Sequence, residues 1–169
     1  MDPSAVRCRR VLLSVAALAS SSLLLGSTLE PTSLDQLNRR ADLIVRGQVQ
    51  GITPGPRGET GSTTTVAIRV REQWKGPWRS TLSVLQPRGT EAGIAQEVPG
   101  LPAFHVGEEV VLFLIRGRGG YYEVLGGRQG KLSIKTGPDG RELVEDLTGS
   151  RLDLDQFVRR LKPATKPAP

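Results

Sequence analysis

Residues 110–115 read VVLFLI, and this uninterrupted apolar run is the feature that most restricts the fold. A half-exposed strand alternates apolar and polar side chains, because successive side chains point to opposite faces of a sheet. A run without alternation instead predicts a strand with both faces covered. We therefore expect one face to lie inside a sheet and a separate element, with a helix as the natural candidate, to cover the other.

Two short segments have the pattern of helices. In SLDQLNRRAD, Ser33 is followed three residues later by glutamine, which is the spacing of a capping box, and a helix is predicted from about 33 to 40. In DLDQFVRRL, Asp153 repeats this spacing ahead of an apolar stripe that includes Phe157. The second helix is expected to cover the outer face of the VVLFLI strand.

Most other segments are predicted to be strands. TTTVAIRVREQW alternates, with Val66, Ile68 and Val70 on one face. DLIVRGQVQGI has Gly47 in its middle, where glycine indicates a bulge or a tight bend. Further strands are expected in STLSVLQP, YYEVLGG, KLSI and RELV. The pattern predicts a mainly β fold, a single small OB-like barrel of five to six strands with a short N-terminal helix and a C-terminal helix.

The ends of the chain differ from this domain. MDPSAVRCRR is basic and runs into the apolar VLLSVAALASSSLLLG, which is the pattern of a secretory signal peptide. We expect a signal peptide at 1–28, with an uncleaved N-terminal anchor as the alternative, the barrel at 29–161, and a disordered Pro-rich tail at 162–169. No other segment is a candidate membrane span. The predicted location is therefore secreted or periplasmic.

The only histidine, His105, stands close to Glu108 and Glu109 just before the apolar run. A zinc-protease motif needs a second histidine, and the chain has none. One imidazole and two carboxylates remain open as a weak site for a hard cation, and a turn leading into the strand is the alternative that we favour. We expect no metal, no cofactor and no enzymatic activity.

A resemblance accompanies this pattern over about residues 41–135. ADLIVRGQV, an alternating strand ending in KG, and then VGEEVVLFL resemble the order of elements in netrin-like modules, the OB-type barrels of tissue inhibitors of metalloproteinases and of complement C-terminal domains. The order also resembles that of small exported bacterial proteins without an assigned role. Those inhibitors chelate zinc through an N-terminal cysteine, whereas Cys8, the only cysteine here, precedes the predicted cleavage. The resemblance therefore implies the barrel without that mechanism.

The favoured function is an exported, non-enzymatic binding module. It is expected to engage a protein or envelope partner through loops 53–62 and 88–103, because long irregular loops on a rigid barrel are a common binding design. A protease is one such partner, which would make the module protease-inhibitor-like. The candidate contact residues are Trp74, Lys75, Trp78, Arg88, Glu91, Ile94, Phe104 and His105.

Two alternatives remain. OB-type barrels often bind single-stranded nucleic acid by stacking bases on aromatic side chains beside a basic groove. The residues for such a groove are Arg69, Arg71, Lys75, Arg79, Arg116, Arg118 and Arg128, with Trp74, Trp78 and Tyr121. The other alternative is a structural or accessory protein of the envelope.

Overall fold

The computed structural model describes residues 32–57, 61–91, 94–96 and 98–161, with the backbone alone for 89–91 and 94–96. The expected signal peptide (1–28) and Pro-rich tail (162–169) lie outside the described residues, as do parts of the two predicted binding loops. The described α-helices and strands are α1 (Leu34–Arg40), β1 (Leu43–Pro54), β2 (Thr63–Lys75), β3 (Thr81–Pro87), β4 (Gly89–Glu91), β5 (Ile94–Gln96), β6 (Glu109–Arg116), β7 (Tyr122–Val124), β8 (Lys131–Thr136), β9 (Glu142–Glu145), β10 (Arg151–Asp153) and α2 (Leu154–Leu161).

Five of these strands form a closed barrel. The order around the ring is β1-β2-β3-β7-β6, and β6 pairs with β1 to complete it. All of these pairings are antiparallel except that between β3 and β7, which are parallel and meet through the single pair Val84 and Tyr122. β8, β9 and β10 continue the sheet from β6. The mainly β, OB-like barrel predicted from the sequence, with a helix near each end, is confirmed.

The VVLFLI strand has both faces covered, as predicted. Val110, Leu112 and Leu114 point into the barrel and belong to its core. Val111 and Phe113 point outwards into a second core that includes residues of both helices. This second core explains why the sequence has no polar position between 110 and 115.

Both helices begin at the predicted caps. The Ser33 side chain accepts a hydrogen bond from the Gln36 backbone N–H, and the Gln36 side-chain oxygen accepts one from the Ser33 backbone N–H. At α2, the Asp153 carboxylate accepts from the backbone N–H groups of Asp155 and Gln156. These bonds satisfy donors that would otherwise lack partners at a helix start, so the cap positions fix where each helix begins.

Gly47 lies at the predicted bulge, where the register between β1 and β2 shifts. A Cβ atom at this position would lie 2.6 Å from Ile68 Cγ2 and 2.7 Å from the Arg69 carbonyl oxygen. The two strands therefore approach more closely than any side chain permits, and the bend depends on glycine.

Replacing Gly47 with alanine is expected to lower the free energy of unfolding by about 1–3 kcal/mol, because the new methyl group overlaps backbone as well as side-chain atoms. Gly51 is a matched control on the same strand, since a Cβ there would have nothing within 4 Å. Urea denaturation of the two variants measures the difference. Equal losses in Gly47→Ala and Gly51→Ala would contradict the close approach of β1 and β2.

Candidate binding site

The predicted contact residues are divided between the two ends of the barrel. At one end of the barrel lie the first residues of β1 and the last residues of β2 and β6. Leu43 pairs there with Leu114, and Ile44 pairs with Lys75. The strand termini Pro54, Thr63 and Pro87 lie at the other end. Thr64 and Lys75 are separated by roughly 35 Å of strand at about 3.3 Å per residue. The candidates therefore form two separate groups rather than one surface.

A cavity of about 240 Å³ lies at the second end. Val66 and Phe104, both part of the barrel core, form its deepest wall. Exposed Arg88 and His105 stand at its rim. The complete lining is Ile52, Thr64, Val66, Gln86, Pro87, Arg88, Val98, Leu101, Pro102, Ala103, Phe104 and His105. Three predicted residues, Arg88, Phe104 and His105, are thus brought together, along with part of the predicted loop 88–103. The predicted loop 53–62 contributes no lining residue, although Ile52 and Thr64 on either side of it do.

One residue that lines this cavity, Gln86, has an unpaired polar atom. Its side-chain Oε1 is buried and has no hydrogen-bond partner. Buried polar atoms in folded proteins are nearly always paired, because an unpaired one has lost its water without replacement. Gln86 was not among the residues selected from the sequence, since a glutamine in an alternating strand carries no signal of an unpaired amide.

The loop that closes the cavity is held in place by Lys131. Its ammonium group donates to the Ala103 carbonyl oxygen at 2.6 Å and forms an ion pair with Glu108 at 2.7 Å. The same group lies 5.1 Å from the centre of the Phe104 ring, within the range of a cation–π contact. Further along the loop, the Arg128 backbone N–H donates to the Gly100 carbonyl at 3.0 Å. The cavity therefore has one fixed wall in residues 100–105.

His105, Glu108 and Glu109 do not converge. Glu108 binds Lys131, while Glu109 accepts a hydrogen bond from Arg46, because successive residues entering a strand point to opposite faces. The His105 side chain is 80% exposed, and its Nδ1 lies 3.7 Å from Glu108. Within the part of the chain that the structure describes, no group of three or more histidine, cysteine, aspartate or glutamate residues could hold a metal ion.

The second group lies at the turn between β2 and β3. The Trp74 ring packs edge-on against Phe157, with 5.8 Å between ring centres. Lys75 donates to the carbonyl oxygens of Asn38 and Arg39, at the C-terminus of α1. Trp78 is 64% exposed. Of these three side chains, Trp78 presents the largest apolar surface to solvent.

Glu91 and Ile94 occupy a small hairpin between Arg88 and Phe104 in sequence. Their backbones are paired, as part of the β4–β5 sheet. This hairpin lies inside segment 88–103, which was expected to be irregular throughout. Its two strands contain three residues each, too few for an alternating pattern to be recognised.

Arg46 is the charged residue that sequence reasoning missed. Its guanidinium donates to Glu109 at 3.0 Å, to Glu72 at 2.9 Å and to both carboxylate oxygens of Glu142. Burial by itself lowers the pKa of Arg46, but the hydrogen bonds and charges of Glu142 and Glu109 outweigh it and hold the pKa above its ordinary value. The network joins β1, β2, β6 and β9, so its role is structural.

No model of a known protein family matches this chain, and no curated protein matches it. None of the helices among the described residues is long and apolar enough to cross a bilayer.

Proposed function

We propose that this protein is a non-enzymatic binding module that engages a protein partner at the cavity lined by loop 88–103, with loop 53–62 as a neighbouring contact. The observation that carries the proposal is a cavity with an apolar deep wall, beside which the side-chain carbonyl oxygen of Gln86 is buried and unpaired. A hydrogen-bond donor on the partner that reached this oxygen through a small shift of β3 would remove the cost of leaving it without a partner. The exposed Arg88 guanidinium at the rim suits a carboxylate or carbonyl group on the same partner.

The size of the cavity favours a protein partner over a free small molecule. Small-molecule sites usually enclose about 300–1,000 Å³. A cavity of about 240 Å³ falls below that range. It suits one or two side chains projecting from a larger surface, which is how anchor residues bind in protein interfaces.

The chemistry around His105 supports binding rather than acyl transfer. A serine nucleophile needs an imidazole next to its hydroxyl group and a carboxylate behind that imidazole. Here the Ser133 hydroxyl lies 3.2 Å from Glu108, so the carboxylate takes the position that the imidazole would need. Lys131 also neutralises that carboxylate. The order of groups is therefore wrong for general-base catalysis by His105.

Two further parts of the proposal rest on sequence. The basic segment followed by VLLSVAALASSSLLLG supports export to a secreted or periplasmic location. The resemblance to netrin-like modules supports a protease as one kind of partner. That a protease is the partner remains a prediction. If this protein slows substrate turnover by an exported metalloprotease, the protease-inhibitor form of the proposal is supported. Unchanged turnover across a panel of such proteases would count against it.

Filling the cavity is expected to abolish partner binding. Peptides selected from a random display library for binding to the immobilised protein serve as probes. Ala103 lies at the exposed edge of the cavity, so Ala103→Trp is expected to weaken the selected peptides by at least about tenfold through steric exclusion of an anchor side chain. Titration followed by fluorescence anisotropy measures the affinities.

Ala67→Trp is the matched control, because Ala67 is exposed on β2 and does not line the cavity. It is expected to leave the affinities unchanged. Peptides that bind both variants as tightly as the unmodified protein would show that the cavity is not the site. Failure to select any peptide would also count against a protein partner.

A further inference from the structure

The end of the barrel opposite the cavity gathers basic side chains from four segments, 38–43, 73–80, 115–123 and 160–161. The Arg116 backbone N–H donates to the Asp42 carboxylate at 2.8 Å, and the Lys75 ammonium donates to the Asn38 carbonyl at 2.6 Å. The Asn38 side chain in turn donates to the Leu161 carbonyl at 2.9 Å, which brings the last turn of α2 beside α1. We call these four segments the basic end.

Charge is strongly divided between the basic end and the rest of the domain. Residues 29–161 contain 18 basic and 16 acidic side chains. The basic end has seven of the basic ones and two of the acidic ones, leaving 11 basic and 14 acidic elsewhere. The seven cations are Arg39, Arg40, Lys75, Arg79, Arg116, Arg118 and Arg160, and the two acids are Asp42 and Glu123. Arg159 belongs to the remainder, because it lies beside Glu142, Asp153 and Asp155. The basic end therefore has a net charge of +5, and the remainder has a net charge of −3.

Trp78 is exposed on a braced turn of the basic end. Gln73 braces its turn with two hydrogen bonds, donating to the Gly76 carbonyl at 2.8 Å and accepting from the Arg79 backbone at 3.0 Å. Gly76 has a φ of 86°, and a Cβ there would lie 2.6 Å from the Asp42 carbonyl oxygen, so the turn packs closely against the start of β1. An exposed indole on a fixed turn loses little conformational entropy on binding.

We propose that the basic end binds the surface of an anionic lipid bilayer, with the Trp78 indole inserted at the level of the headgroups. Indole rings favour this region because they combine an apolar body with a polar N–H group. Basic side chains beside them are attracted to the negative surface potential of anionic lipids. A surface of this composition would orient the barrel with its cavity facing away from the membrane.

Single-stranded nucleic acid is the competing polyanion, and the arrangement of aromatic residues disfavours it. Binding of a strand depends on several aromatic rings on which successive bases stack. Trp74 is packed against Phe157 and Tyr121 is half-buried, which leaves Trp78 as the prominent exposed ring among the aromatic residues selected for this alternative. One ring on a projecting turn suits a lipid interface better than a stacked strand.

The fluorescence of Trp78 tests the proposal on the full chain. The chain has two tryptophans, so Trp74→Phe leaves Trp78 as the only one. Vesicles of phosphatidylcholine containing about one third phosphatidylserine are expected to shift its emission to the blue and protect it from acrylamide, and high salt should reverse both effects. Pure phosphatidylcholine vesicles should do neither. The converse variant, Trp78→Phe, retains Trp74 and should show no shift.

Two pairs of substitutions separate the basic end from general charge. Arg39→Gln with Arg40→Gln is expected to weaken vesicle binding by about fivefold for each removed cation. Lys135→Gln with Arg141→Gln removes the same charge from exposed sites outside the basic end and should weaken it far less. Residues 1–31 are identical in all of these proteins, so any contribution from them cancels.

Three outcomes would overturn the proposal. One is the absence of a blue shift with anionic vesicles, and another is equal weakening by the two double substitutions. The third is a larger and tighter response of Trp78 to a single-stranded oligonucleotide than to the vesicles, which would assign the basic end to nucleic acid instead.

Discussion

Replacing Arg46 with methionine is expected to lower the free energy of unfolding by about 3 kcal/mol. The substitution keeps an apolar stem of similar length but removes the cation between three carboxylates. The Arg46 side chain is only 9% exposed, and after its removal Glu109 keeps Arg71 as a second cation at 3.5 Å. Glu72 and Glu142 are 45% and 41% exposed and can regain water, which places the expected loss at the lower end of the range for a broken buried ion pair.

Glu72→Gln is the matched control for this network. It removes one charge from the most exposed of the three carboxylates and keeps a hydrogen-bond acceptor, so a loss below about 1 kcal/mol is expected. Urea denaturation measures both variants. If Arg46→Met were no less stable than Glu72→Gln, the four-strand network would contribute little to holding β9 against the barrel.

The loss in Arg46→Met is expected to stay constant between about pH 6 and pH 9. The pKa of Arg46 is raised in the folded protein, so its contribution to stability is complete below the ordinary arginine pKa. That contribution disappears only as the pH rises through the still higher folded value. Urea denaturation of both proteins at several pH values within this window measures the stability difference. A difference that shrinks steadily towards pH 9 would contradict the expectation.

Phe157→Ala is expected to lower the free energy of unfolding by about 3–5 kcal/mol. The Phe157 ring is 2% exposed and makes edge contacts with Trp74 and Phe113, with ring centres 5.8 Å and 6.4 Å apart. Removing it leaves a cavity between α2 and the VVLFLI strand. Helix α2 has only eight residues, too few to be stable in isolation, so its folding depends on this contact.

Trp74 provides a local readout of the same variant. Its emission is expected to move to the red as the indole gains contact with water where the Phe157 ring was. Val158→Ala, at the half-buried neighbouring position, should cost less than about 1.5 kcal/mol and leave the emission unchanged. Similar stability in the two variants would mean that α2 does not depend on Phe157 for its place on the barrel.

The features predicted from the sequence are those encoded by neighbouring residues. The alternation through Val66, Ile68 and Val70 gives β2 its buried face, and the spacing from Ser33 to Gln36 marks the start of α1. The covered faces of VVLFLI follow from six consecutive apolar side chains. Each of these patterns lies within one or two helical turns or within a single strand. It therefore predicts the local structure without any knowledge of the fold.

The features missed depend on residues that are far apart in the chain. Arg46 meets Glu72, Glu109 and Glu142 only because β1, β2, β6 and β9 lie side by side. A single arginine within an apolar run was the one available signal of a buried ion pair. β10 was missed because its three residues follow a turn and lead directly into α2.

The candidate site was predicted in part. Loop 88–103 reaches the cavity, and Arg88, Phe104 and His105 line it, whereas no residue of loop 53–62 does. Sequence could not show that Trp74, Lys75 and Trp78 lie at the opposite end, because this depends on the length and direction of β2 within the ring. Nor could it identify Gln86, whose side-chain carbonyl oxygen lacks a partner only in the folded geometry.

The single residue pair that joins β3 to β7 affects how the cavity can respond to an occupant. Beyond Val84, the described pairings hold β3 only to β2, and this portion carries Gln86 and Pro87. The facing wall, residues 100–105, is fastened by Lys131 and Arg128. One wall of the cavity is thus fastened by contacts from elsewhere in the chain, whereas the other is held by a single neighbouring strand. We therefore expect side chains of different sizes to be admitted by bending of β3 beyond Val84.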